Sequence, residues 1–279
     1  MTTSIATQPL VTADWAREHL DDPKVRFIEV DVDTTAYDQG HIPGAVGWDW
    51  TSQLADGLRR DLASTEDLQA LLRAAGVDDD THIVLYGDNS NWFAAWAYWQ
   101  LRLHGIENVS LLDGGRKLWL DKALPLTVDA PSHPAGSITV SQPDFALRAF
   151  RDDILPRIGD ATLALVDVRS PAEFSGEVLA PPGLSETAQR GGHIPGAASV
   201  PWSQAVAEDG RFKSPDELKS LYEAKGVTPD RDIIAYCRIG ERSSHSWFVL
   251  HELLGYPRVR NYDGSWTEWG SMVGVPIER

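Results

Sequence analysis

The chain repeats its own landmarks in one order, which restricts it to two copies of a single supersecondary plan. Gly40-His41-Ile42-Pro43-Gly44-Ala45 returns as Gly192-His193-Ile194-Pro195-Gly196-Ala197, and Val30-Asp31-Val32 returns as Val166-Asp167-Val168. Ala74-Ala75-Gly76-Val77 resembles Ala224-Lys225-Gly226-Val227. Tyr86, Gly105, Asp113 and Trp119 meet Tyr236, Gly255, Asp263 and Trp269 at one offset of 150. The offset is 136 at Asp31 and 152 at His41, so the second copy carries about 16 extra residues between Asp167 and His193. The expected organisation is a domain over 1–125, a Pro/Ser/Gly-rich linker over 126–147 and a second domain over 148–279.

Each copy reads as α/β. The apolar runs Val25–Val30, Ile83–Tyr86, Leu163–Val168 and Ile233–Tyr236 are rich in β-branched residues and suit strands buried on both faces. Ser64 and Ser214 each stand three residues before an acid, a capping-box pattern, and Pro215 suits a first helical position. Helices are expected over Trp92–Leu103 and Arg242–Leu254; in the latter, Trp247, Leu250, His251 and Leu254 share one face. Strands alternating with helices imply a mainly parallel sheet flanked by helices, once per copy. The His-Ile-Pro-Gly segments read as Pro-Gly turns leading into strands, with His41 and His193 donating local hydrogen bonds rather than binding metal. The many Trp, Trp48, Trp50, Trp92, Trp96 and Trp99 among them, read as core and interface packing.

Composition narrows the function. A formal charge of -16 argues against a nucleic-acid or anionic-membrane surface. A single Cys excludes an intramolecular disulfide framework and a multi-thiolate zinc site. With no long apolar run and no basic-then-apolar start, a cytoplasmic protein is expected, without metal or cofactor.

The one cysteine, Cys237, follows the strand ending at Tyr236 and precedes the helix near Arg242. Ligands of parallel sheets bind beyond the carboxyl ends of strands. A short loop feeding a helix converges backbone N–H groups, here expected from Ile239, Gly240, Glu241 and Ser243, on one anion. A thiol in that ring, flanked by Arg238 and Arg242, is expected to have a lowered pKa. A lone Cys is more often an inert small hydrophobe, but the repeat is an internal control. Cys237, Arg238 and Arg242 match Gly87, Asp88 and Trp92, and Arg169 matches Asp33. Thiol and cations therefore occur in one copy only, as expected of one anion-binding active site. The tyrosine-phosphatase loop needs five residues between Cys and Arg, and this chain has four. Protease chemistry needs an oriented His base, and His245 is expected to face away from the loop. Thioredoxin-like chemistry needs a second Cys.

These motifs resemble the tandem-domain rhodaneses, the thiosulfate sulfurtransferases. The resemblance rests on Asp167-Val168-Arg169, the Gly-His-Ile-Pro-Gly-Ala turns, the Cys237 loop and Asp263-Gly264-Ser265-Trp266. It implies an inactive first domain, a catalytic second, Cys237 as the persulfide-bearing nucleophile and Arg169 as a substrate-anion ligand. The Cys-Arg-x-Gly loop is similar to thiosulfate-using members; 3-mercaptopyruvate sulfurtransferases show Cys-Gly-Ser-Gly there. Thiosulfate would load Cys237 and release sulfite, with Arg169, Arg238 and Arg242 on the sulfonate, and a thiophilic acceptor such as cyanide would take the sulfur. The alternatives are 3-mercaptopyruvate as donor and persulfide relay to a protein acceptor. The insert over 175–191, with Arg190, is expected to shape the pocket mouth.

Overall fold

A computed structural model describes residues 8–180 and 187–279. The chain forms two compact units, one ending at Asp144 and one beginning at Phe145, with the short segment Glu208–Arg211 grouped with the first. No helix among the described residues is long and apolar enough to cross a membrane.

The first unit runs β1 (Leu10–Val11), α1 (Ala13–Glu18), β2 (Val25–Asp31), α2 (Thr35–Gln39), β3 (Val46–Asp49), α3 (Trp50–Gln53), α4 (Thr65–Ala74), β4 (His82–Tyr86), α5 (Asp88–Leu103), β5 (Val109–Leu112) and α6 (Gly115–Asp121). Its strands are all parallel in the order β1-β5-β4-β2-β3. The second unit runs α7 (Arg151–Ile154), β6 (Leu163–Asp167), α8 (Pro171–Ser175), β7 (Ala198–Ser199), α9 (Pro215–Glu223), β8 (Asp232–Tyr236), α10 (Glu241–Phe248), β9 (Val259–Asn261) and α11 (Ser265–Trp269). Its parallel order is β7-β6-β8-β9. In place of a β1 equivalent, Arg148 makes an isolated parallel bridge to Asn261 beside β9.

The repeat is visible in side-chain detail. The Tyr86 hydroxyl accepts the Ile42 N–H at 3.1 Å, and the Tyr236 hydroxyl accepts the Ile194 N–H at 3.1 Å. Both Pro-Gly segments close i to i+3 turns with a left-handed glycine, Gly44 at φ 76 and Gly196 at φ 78. His41 donates from Nδ1 to the Tyr37 carbonyl, and His193 donates likewise to the Phe174 carbonyl; each ring stacks on its neighbour's ring. These histidines therefore fix the turn against the preceding helix. Ser64 and Ser214 cap α4 and α9 as their spacing implies. Trp96 packs edge-on against both Trp50 and Trp99 inside the first unit.

Two segments differ from the sequence-based expectation. The Pro/Ser/Gly stretch does not hang free. Its Gly136 and Ile138 N–H groups bond the Arg73 and Val77 carbonyls, Asp78 accepts from Ser137, and Ile138 and Val140 are buried on the first unit. The helix after Cys237 is α-helical only to Phe248 and continues as a π-helical turn over Val249–Leu253. Trp247 and Leu250 are nonetheless fully buried, and His251 stacks on Trp247.

Candidate active site

Strand β8 is buried between β6 and β9, and Cys237 is the first residue past its carboxyl end. The chain turns there at Gly240, which sits at φ 109 and admits no side chain without strain. The Gly240 carbonyl is held from one side, accepting Ser243 Oγ at 3.0 Å, Ser244 Oγ at 2.8 Å and Asn261 Nδ2 at 3.4 Å. That clamp holds Gly240 from its carbonyl side, and its N–H donates to Cys237 Sγ at 3.1 Å. The Ser243 hydroxyl approaches Sγ at 3.6 Å, and its N–H also bonds the sulfur. Among the residues expected to supply the amide cradle, Gly240 and Ser243 bond the sulfur through their N–H groups. Glu241 brings its side chain: the thiol donates to its Oε2 at 3.3 Å.

The loop is braced from α11. Ser265 Oγ accepts the Cys237 N–H at 3.1 Å and donates to the Tyr262 carbonyl at 2.7 Å. Trp266 and Thr267 N–H groups donate to the Cys237 and Arg238 carbonyls. Ser265 does this from φ 53, a left-handed conformation costly for a residue with a Cβ.

The cations part company. Arg242 is buried on α10 and grips Glu173 of α8 with both terminal nitrogens, at 2.9 and 3.0 Å. Its Nε lies 3.5 Å from Glu241 Oε1. Glu173 is itself half of a capping box with Ser170, and the Ser-Pro-Ala-Glu spacing was the unused signal for it. Burial pushes the Glu173 carboxyl up, but Arg242 and Ser170 outweigh it and leave it below its usual value. Arg242 and Glu173 also line a cavity of about 360 Å³ with Ser170, Pro171, Pro201 and Trp202. Arg238 is buried, and its carbonyl is pinned by Thr267.

Arg169, the expected anion ligand, sits at the end of β6. Its guanidinium donates to the Asp167 carboxylate at 2.6 Å and the Gly192 carbonyl at 2.7 Å, and it lies over the Trp266 ring. Fully buried and bidentate, it holds the end of β6 to the turn before β7. Arg190 donates to the carbonyls of Gly270 and Met272. Within the same insert, residues 181–186 lie outside the described residues. His245 packs between Trp202 and Phe212 with its pKa pushed down by burial to about 3, a neutral ring with no base role.

The thiol also departs from expectation. Burial, then the negative charge of Glu241, push the Cys237 pKa up; Arg242 and Ser243 pull it down but do not prevail. Helix end and arginine were weighed in the sequence, whereas the carboxylate four residues on was not. At neutral pH the resting sulfur is a protonated thiol, sealed from solvent and surrounded by polar groups rather than grease.

Comparison with known proteins bears on what such a loop does. The Rhodanese-like domain profile matches the chain twice, over residues 12–122 and 150–272. The chain is 56% identical over 279 residues to a Haloferax volcanii protein named "Putative thiosulfate sulfurtransferase", covering 98% of this chain and 97% of that one. It is 52% identical over 274 residues to the "Sulfur carrier protein TtuD" of Thermus thermophilus, covering 97% and 96%. Among solved structures it is similar to SseA from Escherichia coli, a 3-mercaptopyruvate sulfurtransferase, with TM-score 0.79 and 33% identity over 93% of this chain and 99% of that one. It is also similar to EanB in a cysteine-persulfide state with ergothioneine, with TM-score 0.84 and 26% identity over 97% of this chain and 70% of that one.

Proposed function

This chain belongs to the rhodanese family and is a sulfurtransferase, and from that premise we propose that Cys237 carries the transferred sulfur as a persulfide loaded from thiosulfate. The observation that carries the reading is the Gly240 N–H aimed at Sγ from 3.1 Å at the start of α10, in the one unit that has a thiol. Cys237 attacks the outer sulfur of thiosulfate and sulfite leaves. The persulfide, anionic at its outer atom, rests against the amide hydrogens of the loop. Arg242, whose guanidinium lines the cavity, and Arg238 on the loop supply positive charge for the sulfonate. Arg169 acts one step removed, by fixing the strand end and the turn. The second unit is catalytic over 148–279, and the first, over 1–125, is its non-catalytic companion. A thiophilic acceptor, cyanide in the assay, takes the sulfur and returns the thiol.

Two half-reactions through one covalent intermediate give ping-pong kinetics. Parallel double-reciprocal lines for thiosulfate and cyanide are the expected result; intersecting lines overturn the persulfide route. Arg238→Gly is expected to raise the thiosulfate KM more than the 3-mercaptopyruvate KM, and equal changes would leave the donor choice to other residues. A second reading, relay of the sulfur to a protein acceptor, is favoured by the 52% identity to a protein named as a sulfur carrier. Slow cyanide turnover with fast transfer to a protein thiol or thiocarboxylate acceptor would select it.

A further inference from the structure

We propose that Glu241 is a catalytic residue, taking the proton of the Cys237 thiol as the sulfur is loaded and giving it back as the sulfur leaves. The inference rests on Cys237 as the nucleophile and adds the group that moves its proton.

The two units solve the same backbone problem differently. In the first, Asn91, which matches Glu241, spends its Oδ1 on the Gly87 N–H at 3.0 Å and its amide on the Leu112 carbonyl at 2.7 Å. Asn91 is thus structural, and Gly115 must lack a side chain because a Cβ there would meet Asn91 Oδ1 at 2.4 Å. In the second unit Ser265 stands where Gly115 does, both at φ 53, and takes the Cys237 N–H instead. The strained serine relieves position 241 of that task. The freed carboxylate lies 3.3 Å from the sulfur and is fully buried beside it.

A protonated thiol needs a proton acceptor before it can attack, and water is excluded from this one. In the proposed step the Sγ–H bond breaks toward Glu241 Oε2. The thiolate pair forms the Sγ–S bond with the outer sulfur of thiosulfate, and the S–S pair of the donor departs on sulfite. Later the acceptor bonds the outer sulfur, the Sγ–S pair returns to Sγ, and Sγ recovers the proton from Glu241. The transfer inside the buried cluster moves one negative charge from carboxylate to sulfur without changing the net charge, so no new buried charge is created. Arg242, at 3.5 Å from Oε1, keeps the carboxyl oriented.

The test is the pH dependence of sulfur loading in a single turnover of the full chain with thiosulfate, followed by released sulfite. The charged groups around Glu241 are Cys237 on the loop, Arg242 on α10 and, across Arg242, Glu173 on α8. His245 farther along α10 is neutral down to about pH 3, Arg242 stays charged, and Glu173 titrates below its usual range. Cys237 is therefore the group whose proton is read. In wild type that proton passes internally, so the loading rate is nearly flat from pH 6 to 8, as for a coupled pair. In Glu241→Gln it must go to solvent, and the rate falls about tenfold per pH unit below the thiol pKa, and at least about tenfold below wild type at pH 7. Glu241→Asp should lie between the two. Parallel profiles, or a Gln variant that loads as fast as wild type at pH 7, overturn the proposal and make Glu241 merely a brake on ionisation. If wild type fails to load from thiosulfate, the donor reading falls; the Gln-to-wild-type ratio with 3-mercaptopyruvate then decides Glu241 separately.

Discussion

The loop after β4 and the loop after β8 are built on the same backbone plan and differ in what fills it. In the first unit the loop is closed on itself: Asn91 satisfies the Gly87 N–H, Gly115 makes room, and Asn89, Ser90 and Asn91 all sit in left-handed conformations. In the second, Cys237, Glu241 and Ser265 occupy the matching positions, and the N–H of Gly240 is left to face a sulfur atom. The contrast extends one strand over. Asp167 is neutralised by Arg169 in a fully buried pair. Its counterpart Asp31 has Asp33 two residues on instead; burial, with Asp88 and Glu29 nearby, pushes its pKa up to about 8. One scaffold thus carries two fillings, and a handful of side chains at two strand ends separates a loop that holds a thiol from one closed on itself.

The strongest way to break this comparison is to exchange the thiol. Cys237→Ser should abolish sulfur transfer, and adding Gly87→Cys to it should not restore any. A Cβ at Gly87 would meet the Val30 carbonyl at 2.4 Å, and Asp88 and Trp92 stand where the second unit has arginines. Measurable thiosulfate–cyanide turnover in the double variant would mean that the scaffold, not the side chains, carries the activity.

Next come the arginines. Arg242→Ala strands a buried carboxylate at Glu173, so it should cost roughly 3–5 kcal/mol in urea unfolding and also raise the thiosulfate KM at least about tenfold. Arg169→Gln should cost about 3 kcal/mol for the same reason at Asp167, yet leave KM nearly unchanged in the folded protein. A KM rise for Arg169→Gln matching that for Arg242→Ala would return Arg169 to the substrate.

Two buried groups, one in each unit, should respond to pH in opposite senses. Asp31 holds its proton in the fold up to about pH 8, whereas the unfolded carboxyl loses it near 3.8. Its contribution to first-unit stability is therefore full below pH 4 and is lost as pH rises toward 8, by at most about 1.4 kcal/mol per unit. His245 stays neutral in the fold down to about pH 3, whereas the unfolded ring protonates near 6.5. Its contribution to second-unit stability is full above pH 6.5 and is lost as pH drops toward 3, at a similar slope. His82, held down to about 4 by burial, works in the first unit in the same sense as His245, so each contribution is read as a difference between variant and wild type. By hydrogen exchange, Asp31→Asn should gain on wild type as pH rises above 4, and His245→Phe should gain as pH drops below 6.5. A difference that is flat in pH for either variant would contradict the burial assigned to that group.

Smallest is Ser265→Gly. It removes left-handed strain of about 1–2 kcal/mol and leaves the buried Cys237 N–H unpaired at a cost of similar size. Net stability should move by less than about 1 kcal/mol, while loading slows a few-fold because the loop is no longer braced. Unchanged loading would make Ser265 an ordinary turn residue.

The repeat, the buried parallel strands, the Pro-Gly turns and the capped helices were legible because each is written in local spacing. The position of Cys237 at a strand end was legible for the same reason. The direction of side chains at that end was not. Arg169 is the second residue past β6, and nothing in its spacing distinguishes a guanidinium curled back on Asp167 from one reaching forward. Glu241 read as one more amide donor, because the charge that raises the thiol comes from a side chain folding back across its own turn. Which backbone group Ser265 would meet was not legible, because its contact with the Cys237 N–H spans 28 residues of sequence and depends on a left-handed backbone.

The central claim is that one sulfur atom in the second unit alternates between bare and sulfur-loaded states. Intact-mass analysis of the full chain after brief thiosulfate exposure measures this directly. The account predicts a gain of one sulfur, mapped to the peptide bearing Cys237 and erased by cyanide. An unchanged mass under conditions of turnover, or a gain that survives Cys237→Ser, would contradict it.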